Sequence, residues 1–375
     1  MSRVAQKISA FSPQVGHLPI QQRIVNSFLQ NRLPHAYLFY GPEGSGKEAF
    51  ALEVAKLVNC LDDEPVCQMC SACQKISRLQ HPDVHYIFPT PATANIKPEE
   101  FADALQRKAE NPYQSVSFGG KNVFIGIDTI RELKHEAAFK LYEGKRKVYI
   151  LAEADRMRPE AANALLKLLE EPPPNLMLIL TTASIHRILP TIKSRCQLVR
   201  FSHLTESEIL EIVRRYDPEL DDDQLTLLIR LAGYNIRRVF EFLEKDVFPI
   251  REAMLEFLRK TVTIQRSQEL MAIIEPLVQK KEPDDIRLLL WFMLLWFQDV
   301  LYLRTHPKEV AIEKIFHKDL IQNIEKFNDF VPELPVQNVV WLIEDALQQL
   351  EDPRNLNPLL ILMDLAIKLH SQMKF

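Results

Sequence analysis

Residues 36–55 read AYLFYGPEGSGKEAFALEVA. A strand-like apolar run, a glycine loop ending in Lys47 and a helix-forming segment follow one another, which is the context a phosphate-binding loop requires. Gly41, Gly44 and Gly46 let backbone amides turn toward a phosphate, and Lys47 supplies a point charge. The next residue departs from the pattern. A working loop has Ser or Thr there, because a hydroxyl ligates the magnesium that travels with the nucleotide. This chain has Glu48, which is larger and negatively charged.

The surroundings of the loop decide the fold class. From Tyr37 to Phe201, β-rich runs alternate with helical candidates. The runs are YLFY (37–40), VHYIF (84–88), NVFIGI (122–127), KVYILA (147–152) and LMLILTT (176–182); the helical candidates include 47–59, 130–142 and 159–171. Such alternation predicts an α/β fold with a parallel sheet covered on both faces, over residues 1–202. After about residue 202 the strand signals vanish. Amphipathic stretches at 205–216 and 222–245 predict a small helical domain over 203–247. Residues 248–375 lack glycine and are punctuated at Pro283, Pro307, Pro332, Pro335, Pro353 and Pro358, which predicts a separate all-helical domain. Residues 89–120 read as a surface insertion around one helix, PEEFADALQRKAE, without a legible function.

At 375 residues the chain exceeds what one core serves, in keeping with two or three domains. A composition of 47% hydrophobic and 26% charged residues is that of an ordinary soluble protein. With 46 basic and 50 acidic side chains the net charge is -4, so there is no global electrostatic footprint for nucleic acid. Any DNA contact is local or shared with partners. The N-terminal MSRVAQKISAFSPQVGH lacks the apolar core of a signal peptide. The run LLLWFMLLWF at 288–297 is too short to span a bilayer and reads as a buried helix. The expectation is a cytoplasmic protein with no membrane partner.

A second position bears on the nucleotide question. In KVYILAEADRM, Ala152 stands where an aspartate would hold magnesium through water, and Glu153 where a glutamate would polarise the attacking water. A methyl group cannot ligate a metal. Two altered metal-handling positions argue against ATP hydrolysis and against ATP binding by this chain. Asp155, three residues on, reads as the start of the turn before the helix at Pro159.

Four of the five cysteines, Cys60, Cys67, Cys70 and Cys73, fall in the pattern C-x6-C-x2-C-x2-C. In a reduced compartment this spacing predicts one structural zinc ion held by four thiolates, with no open position for catalysis. His81 and His85 are spare candidates, and Cys196 reads as buried packing. Finally, LPTIKSRCQLVRF (189–201) sets Arg195 just before another strand. An arginine there can extend to a phosphate bound on a neighbouring subunit, although a lone arginine also reads as a salt-bridged surface side chain.

Taken in order, VGHLPIQQRIVNSFLQNRLPHAYLFYGPEGSGK (15–47), the cysteine cluster, ANALLKLLEEPPP (162–174) and ILPTIKSRC (188–196) resemble the AAA+ clamp-loader subunits of bacterial DNA polymerase III. The resemblance covers residues 10 to about 245 strongly, and the C-terminal helices only in character. It implies a RecA-like α/β domain, a helical lid at 203–247 and an all-α collar at 248–375 through which five subunits form a ring. It also implies the job of opening a sliding clamp and placing it on primer-template DNA, with gamma/tau and delta subunits as partners. Within the family, gamma and tau keep the loop hydroxyl and the Asp-Glu pair. Glu48 and Ala152 look like the delta-prime branch, whose P-loop is vestigial and whose arginine, here Arg195, completes a neighbour's ATP site. Thr182 falls at the family's sensor position, and Ile236 and Arg237 lie near the lid's second sensor. Two other readings stay open: an active ATPase in which Glu48 ligates magnesium and Glu153 catalyses, and a pure scaffold whose Arg195 touches no phosphate.

Overall fold

The computed structural model describes residues 15–62, 66–92, 96–116, 118, 121–262, 267–279, 283–352, 354 and 356–373. The N-terminal stretch read above is outside the described residues up to position 14, as is the expected break at Pro353. The chain divides into two compact units, residues up to Asp222 with Tyr234–Glu241, and Asp223–Gly233 with Phe242–Phe375.

The first unit is built on five parallel strands: β1 (Ala36–Tyr40), β2 (Val84–Ile87), β3 (Lys147–Leu151), β4 (Leu176–Thr182) and β5 (Gln197–Arg200), in the order β2-β3-β4-β1-β5. This is the α/β class expected for an AAA+ domain. The order explains the sequence pattern. The inner strands β3 and β4 are buried throughout and read as unbroken apolar runs, as strands covered on both faces must. At the edges, β2 alternates buried and half-buried residues, and β5 buries only Val199.

Helices α1 (Leu18–Leu29), α2 (Lys47–Asn59), α3 (Ser71–Ser77), α4 (Pro98–Glu110), α5 (Ile127–Ala137), α6 (Pro159–Glu170), α7 (Pro190–Lys193) and α8 (Glu206–Val213) belong to this unit. α5 and α6 pack together, and Ile130, Leu133, Leu165 and Leu169 join Leu38, Leu178 and Leu180 of the sheet in one core.

Two expectations need correction. NVFIGI makes only isolated bridges, Thr90 to Phe124 and Ile125 to Met157, and is not a strand of the sheet. Ile125 is buried, but Gly126 caps α5 directly behind it and leaves no length for a ladder. The helix expected at 130–142 runs earlier, over 127–137. Beyond it the amides of Tyr142, Glu143 and Gly144 turn onto the Asp83 carboxylate at 2.7–3.1 Å and leave the helical path.

The stretch at 222–245 forms two helices, α9 (Asp222–Leu231) and α10 (Ile236–Glu244). Gly233 and Tyr234, with φ of 64° and 59°, break them. The remaining helices are α11 (Phe248–Val262), α12 (Ser267–Gln279), α13 (Pro283–Thr305), α14 (Lys308–Lys314), α15 (Ile321–Phe330), α16 (Val336–Leu350) and α17 (Pro358–Gln372). Pro283 and Pro358 open helices, and Pro307 and Pro335 cap them. There the missing N–H is tolerated and the fixed φ suits the first turn. Within α13, Asp284–Thr305 is long and apolar enough to cross a membrane by length and composition. Leu289, Leu290, Phe292, Met293, Phe297 and Val300 are buried, and the helix packs on α11 and α16 as a core element of the second unit.

Candidate functional site

A cleft of about 220 Å³ opens at the carboxyl ends of β1, β3 and β4. It is lined by the loop residues 43–47, by Glu153 and Asp155 after β3, by Thr182 of β4 and by Arg237 of α10. Gly44, Gly46, Lys47, Glu153 and Thr182 therefore line one cleft. Gly41 lies just behind, its N–H donating to the Thr182 carbonyl at 3.3 Å. Gly44 must be glycine: its φ is +64°, and an added Cβ would lie 1.7 Å from Asn235 Oδ1.

The charged groups in the cleft are engaged with one another. Lys47 turns back on its own loop and donates from Nζ to the carbonyls of Gly41 (2.9 Å) and Pro42 (2.6 Å) and to Ser45 Oγ (3.0 Å). Its burial lowers its pKa to about 8, against the opposing pull of Glu48. Glu48 Oε2 accepts from Tyr86 Oη at 2.5 Å and Lys108 Nζ at 2.7 Å, and Oε1 from Arg237 Nη2 at 3.0 Å. Arg237 also donates to Glu43 at 2.7 Å and to Glu153 at 3.3 Å. Arg156 Nε meets the other oxygen of Glu153 at 3.0 Å. Burial alone would raise the Glu48 carboxyl, but Lys108 and Arg237 overcome it and hold it down at about 2.

The sign of that shift gives a pH prediction. A carboxylate with a depressed folded-state pKa stabilises fully above its ordinary value, here 4.5, and loses that contribution as pH falls toward about 2. The melting-temperature gap between the parent chain and Glu48→Gln should be flat from about pH 7 to pH 5, below the Lys47 titration, and should close as the pH is lowered further. A gap independent of pH down to the acid transition would contradict the assignment. Truncation to Glu48→Ala, which leaves Lys108 and Arg237 without this partner, should cost about 3–5 kcal/mol.

These residues do not fit magnesium nucleotide. Ala152, buried at the end of β3, offers no ligand atom. Glu48 is already an acceptor for three donors. Thr182 Oγ1 donates to Asp155 at 2.6 Å and receives the Ser184 N–H at 2.9 Å. Asp155 sits in the short 3₁₀ turn Ala154–Arg156, the turn its sequence position implied. Glu153 has a left-handed backbone, φ 49° and ψ 49°, which is uncommon for a residue with a side chain and points it at Arg237 and Arg156.

The four cysteines do fit a metal. Their sulfurs all lie within 4.8 Å of one another, with Cys60 to Cys67 at 3.6 Å and Cys60 to Cys70 at 3.9 Å. Four thiolates about 2.3 Å from a tetrahedral zinc stand about 3.8 Å apart. Local backbone builds the set. Cys60 ends α2, Cys70 caps α3, and Val66 and Gln68 take positive φ to fold the knuckle between them. The N–H groups of Cys67, Cys70 and Cys73 point at the sulfurs of Cys60, Cys67 and Cys70, at 3.2–3.5 Å. Gln68 ties the knuckle to α2, accepting from Lys56 at 2.9 Å and donating to Glu53 at 2.7 Å. A zinc ion held by Cys60, Cys67, Cys70 and Cys73 would cross-link this segment. His81, close to Glu143, and His85, stacked on Tyr149, are not in the cluster. Cys196 packs partly buried against the sheet core, and burial pushes its thiol up to about 12.

Arg195 is placed elsewhere. Tyr37 pairs with Gln197 in the β1–β5 register, so Arg195 lies at the amino ends of the strands, the opposite end of the sheet from the loop. Its guanidinium meets Glu170 Oε1 at 2.7 Å and the Thr191 carbonyl at 3.0 Å. It is not part of this chain's own cleft.

Sequence reasoning missed Tyr86 and Lys108. Lys108 comes from α4 in the stretch called a surface insertion, 60 positions from Glu48. No local pattern marks it. A lysine in the last turn of an amphipathic helix reads as a solvated charge, and only the fold buries it.

Among known proteins, the chain is 28% identical to the Bacillus subtilis DNA polymerase III subunit delta', over 91% of this chain and 93% of that protein. It is 32% identical to the Mycoplasma pneumoniae subunit gamma/tau over 63% of this chain, and 28% identical to the Bacillus subtilis subunit tau over 89% of it. It spans only 30% and 56% of the lengths of those two relatives. Residues 16–205, just over half the chain, which include the phosphate loop, the cysteine cluster and Arg195 but not Arg237, match the family described as DNA polymerase III, delta subunit, and the chain belongs to that family.

Proposed function

We propose that this chain is a delta-prime-like, non-hydrolysing member of the DNA polymerase III clamp loader. Its partners on this reading are gamma/tau and delta subunits, a sliding clamp and primer-template DNA within the assembled complex, in the cytoplasm. Residues 203–247 serve as lid and 248–375 as the collar that joins the ring. Cys60, Cys67, Cys70 and Cys73 carry a structural zinc, and Arg195 reaches the ATP bound by a neighbouring subunit. The observation that carries the reading is the fate of Glu48. At the position where a hydroxyl would ligate magnesium, its carboxylate is consumed by Lys108, Tyr86 and Arg237 while Ala152 offers nothing.

Calorimetric titration of the purified chain with Mg·ATP tests this. The expected result is no saturable heat up to millimolar nucleotide. Binding, accompanied by turnover, would put the alternative of an active ATPase in its place, with Glu48 exchanging its partners for the metal.

A further inference from the structure

The segment Tyr234–Glu241 is fastened to the phosphate loop by contacts that need no nucleotide. The Ile236 N–H donates to the Gly44 carbonyl at 3.0 Å, and Asn235 fills the space that a side chain at position 44 would require. The ring of Phe240 stacks on Tyr113 at 5.9 Å, and Ser115 Oγ donates to Glu241 at 2.8 Å. Arg237 stands at the centre, bonded to Glu43, Glu48 and Glu153 on three different turns of the chain. Lys108 and Tyr86 close the far side of Glu48.

We propose that the Glu48 carboxylate is an internal anion that stands in for a bound phosphate: it gathers Arg237, Lys108 and Tyr86 and so holds segment 234–241 closed over the loop without any ligand. Two cations and a hydroxyl converging on one carboxylate at 2.5–3.0 Å are the donor set that a phosphate oxygen takes. The carboxylate is covalently supplied, so the closed arrangement is present at every nucleotide concentration. This goes beyond the absence of ATP turnover. It assigns a positive role to the residue that replaced the hydroxyl, and it is independent of Arg195 and of ring assembly.

The same geometry makes the site latent. Removing the carboxylate takes from Lys108 its Glu48 partner and leaves Arg237 with Glu43 and Glu153, which adds net positive charge beside the phosphate loop and so favours a polyphosphate anion with no metal. The experiment uses the full-length chain, inorganic triphosphate in the absence of magnesium as probe, and hydrogen exchange of residues 234–241 as a second readout. The parent chain should show no triphosphate binding and slow exchange in this segment. Glu48→Thr should bind triphosphate at least tenfold more tightly than the parent chain, exchange faster at 234–241, and regain protection when triphosphate is added. Equal affinity of the two proteins, with unchanged exchange, would overturn the proposal. Should Glu48→Thr not fold, Arg237→Ala decides: protection lost at 234–241 but kept in β1 and β4 supports the clamp, and protection unchanged in all three refutes it. Binding of Mg·ATP by the parent chain would count against the non-hydrolysing role without touching the exchange result in these variants.

Discussion

Replacing Arg195 by alanine should slow ATP turnover at one site of a reconstituted loader roughly 10³-fold, with little change in the stability of this chain. The physical basis is where the residue sits. It follows α7 at the amino ends of the strands, so it cannot reach this chain's own loop at the carboxyl ends. Its tether is local: Glu170 at 2.7 Å and the Thr191 carbonyl at 3.0 Å hold the guanidinium at the surface, about a third exposed. An exposed ion pair of this kind contributes at most about 1 kcal/mol to folding, so a large kinetic effect cannot be ascribed to unfolding. On the proposed reading the side chain exchanges Glu170 for a phosphate of the adjacent subunit and stabilises the charge that develops during phosphoryl transfer. Arg195→Lys should restore little, because lysine keeps the charge but lacks the planar fork that meets two oxygens at once. The measurement is single-turnover hydrolysis by the complex containing the variant, alongside its melting temperature. Unchanged turnover would leave a scaffold whose arginine is a surface salt bridge and nothing more.

The second large effect concerns the cysteine cluster. The purified chain should carry one zinc ion, and Cys70→Ser should carry none. Structural zinc sites supply about 10–16 kcal/mol of apparent binding energy in small finger peptides, which is why such segments lose their fold with the metal. Here the loss should be confined to the knuckle and its attachments. Cys70 caps α3, Cys60 ends α2, and the Cys60 carbonyl is bonded to Lys145 at 2.5 Å. Residues 60–77 and the loop before β3 should become protease-sensitive in Cys70→Ser, or in the parent chain treated with a chelator, while the second unit stays resistant. Zinc analysis by atomic absorption and limited digestion with mass mapping give the result. A chain that contains no zinc and is indifferent to the serine substitution would show that the four thiols are structural only through packing.

The sequence determined the α/β class, because period and composition change where the chain changes role. Inner strands read as apolar runs, and YLFY and LMLILTT stand where they were expected. Pro283, Pro307, Pro335 and Pro358 mark helix starts because a missing N–H costs least in the first turn, whereas Pro276 lies inside α12. The cysteine spacing was enough to nominate a four-sulfur cluster, since a knuckle is a local structure with a fixed chain length between its cysteines. NVFIGI failed for the complementary reason: β propensity is a preference for a half-buried surface, and the fold gave this stretch only isolated bridges to Thr90 and Met157.

Tertiary structure alone decided what Glu48 does. In the sequence it is a carboxylate in the wrong place, open to being a metal ligand or a defect. Its partners come from positions 86, 108 and 237, and their convergence depends on long-range packing that no periodicity records. The same holds for Arg195. Its motif named the residue, but only the β1–β5 register put it at the end of the sheet away from its own loop. Local chemistry follows from residue type and spacing; which charges meet in a buried site follows from how the chain returns on itself.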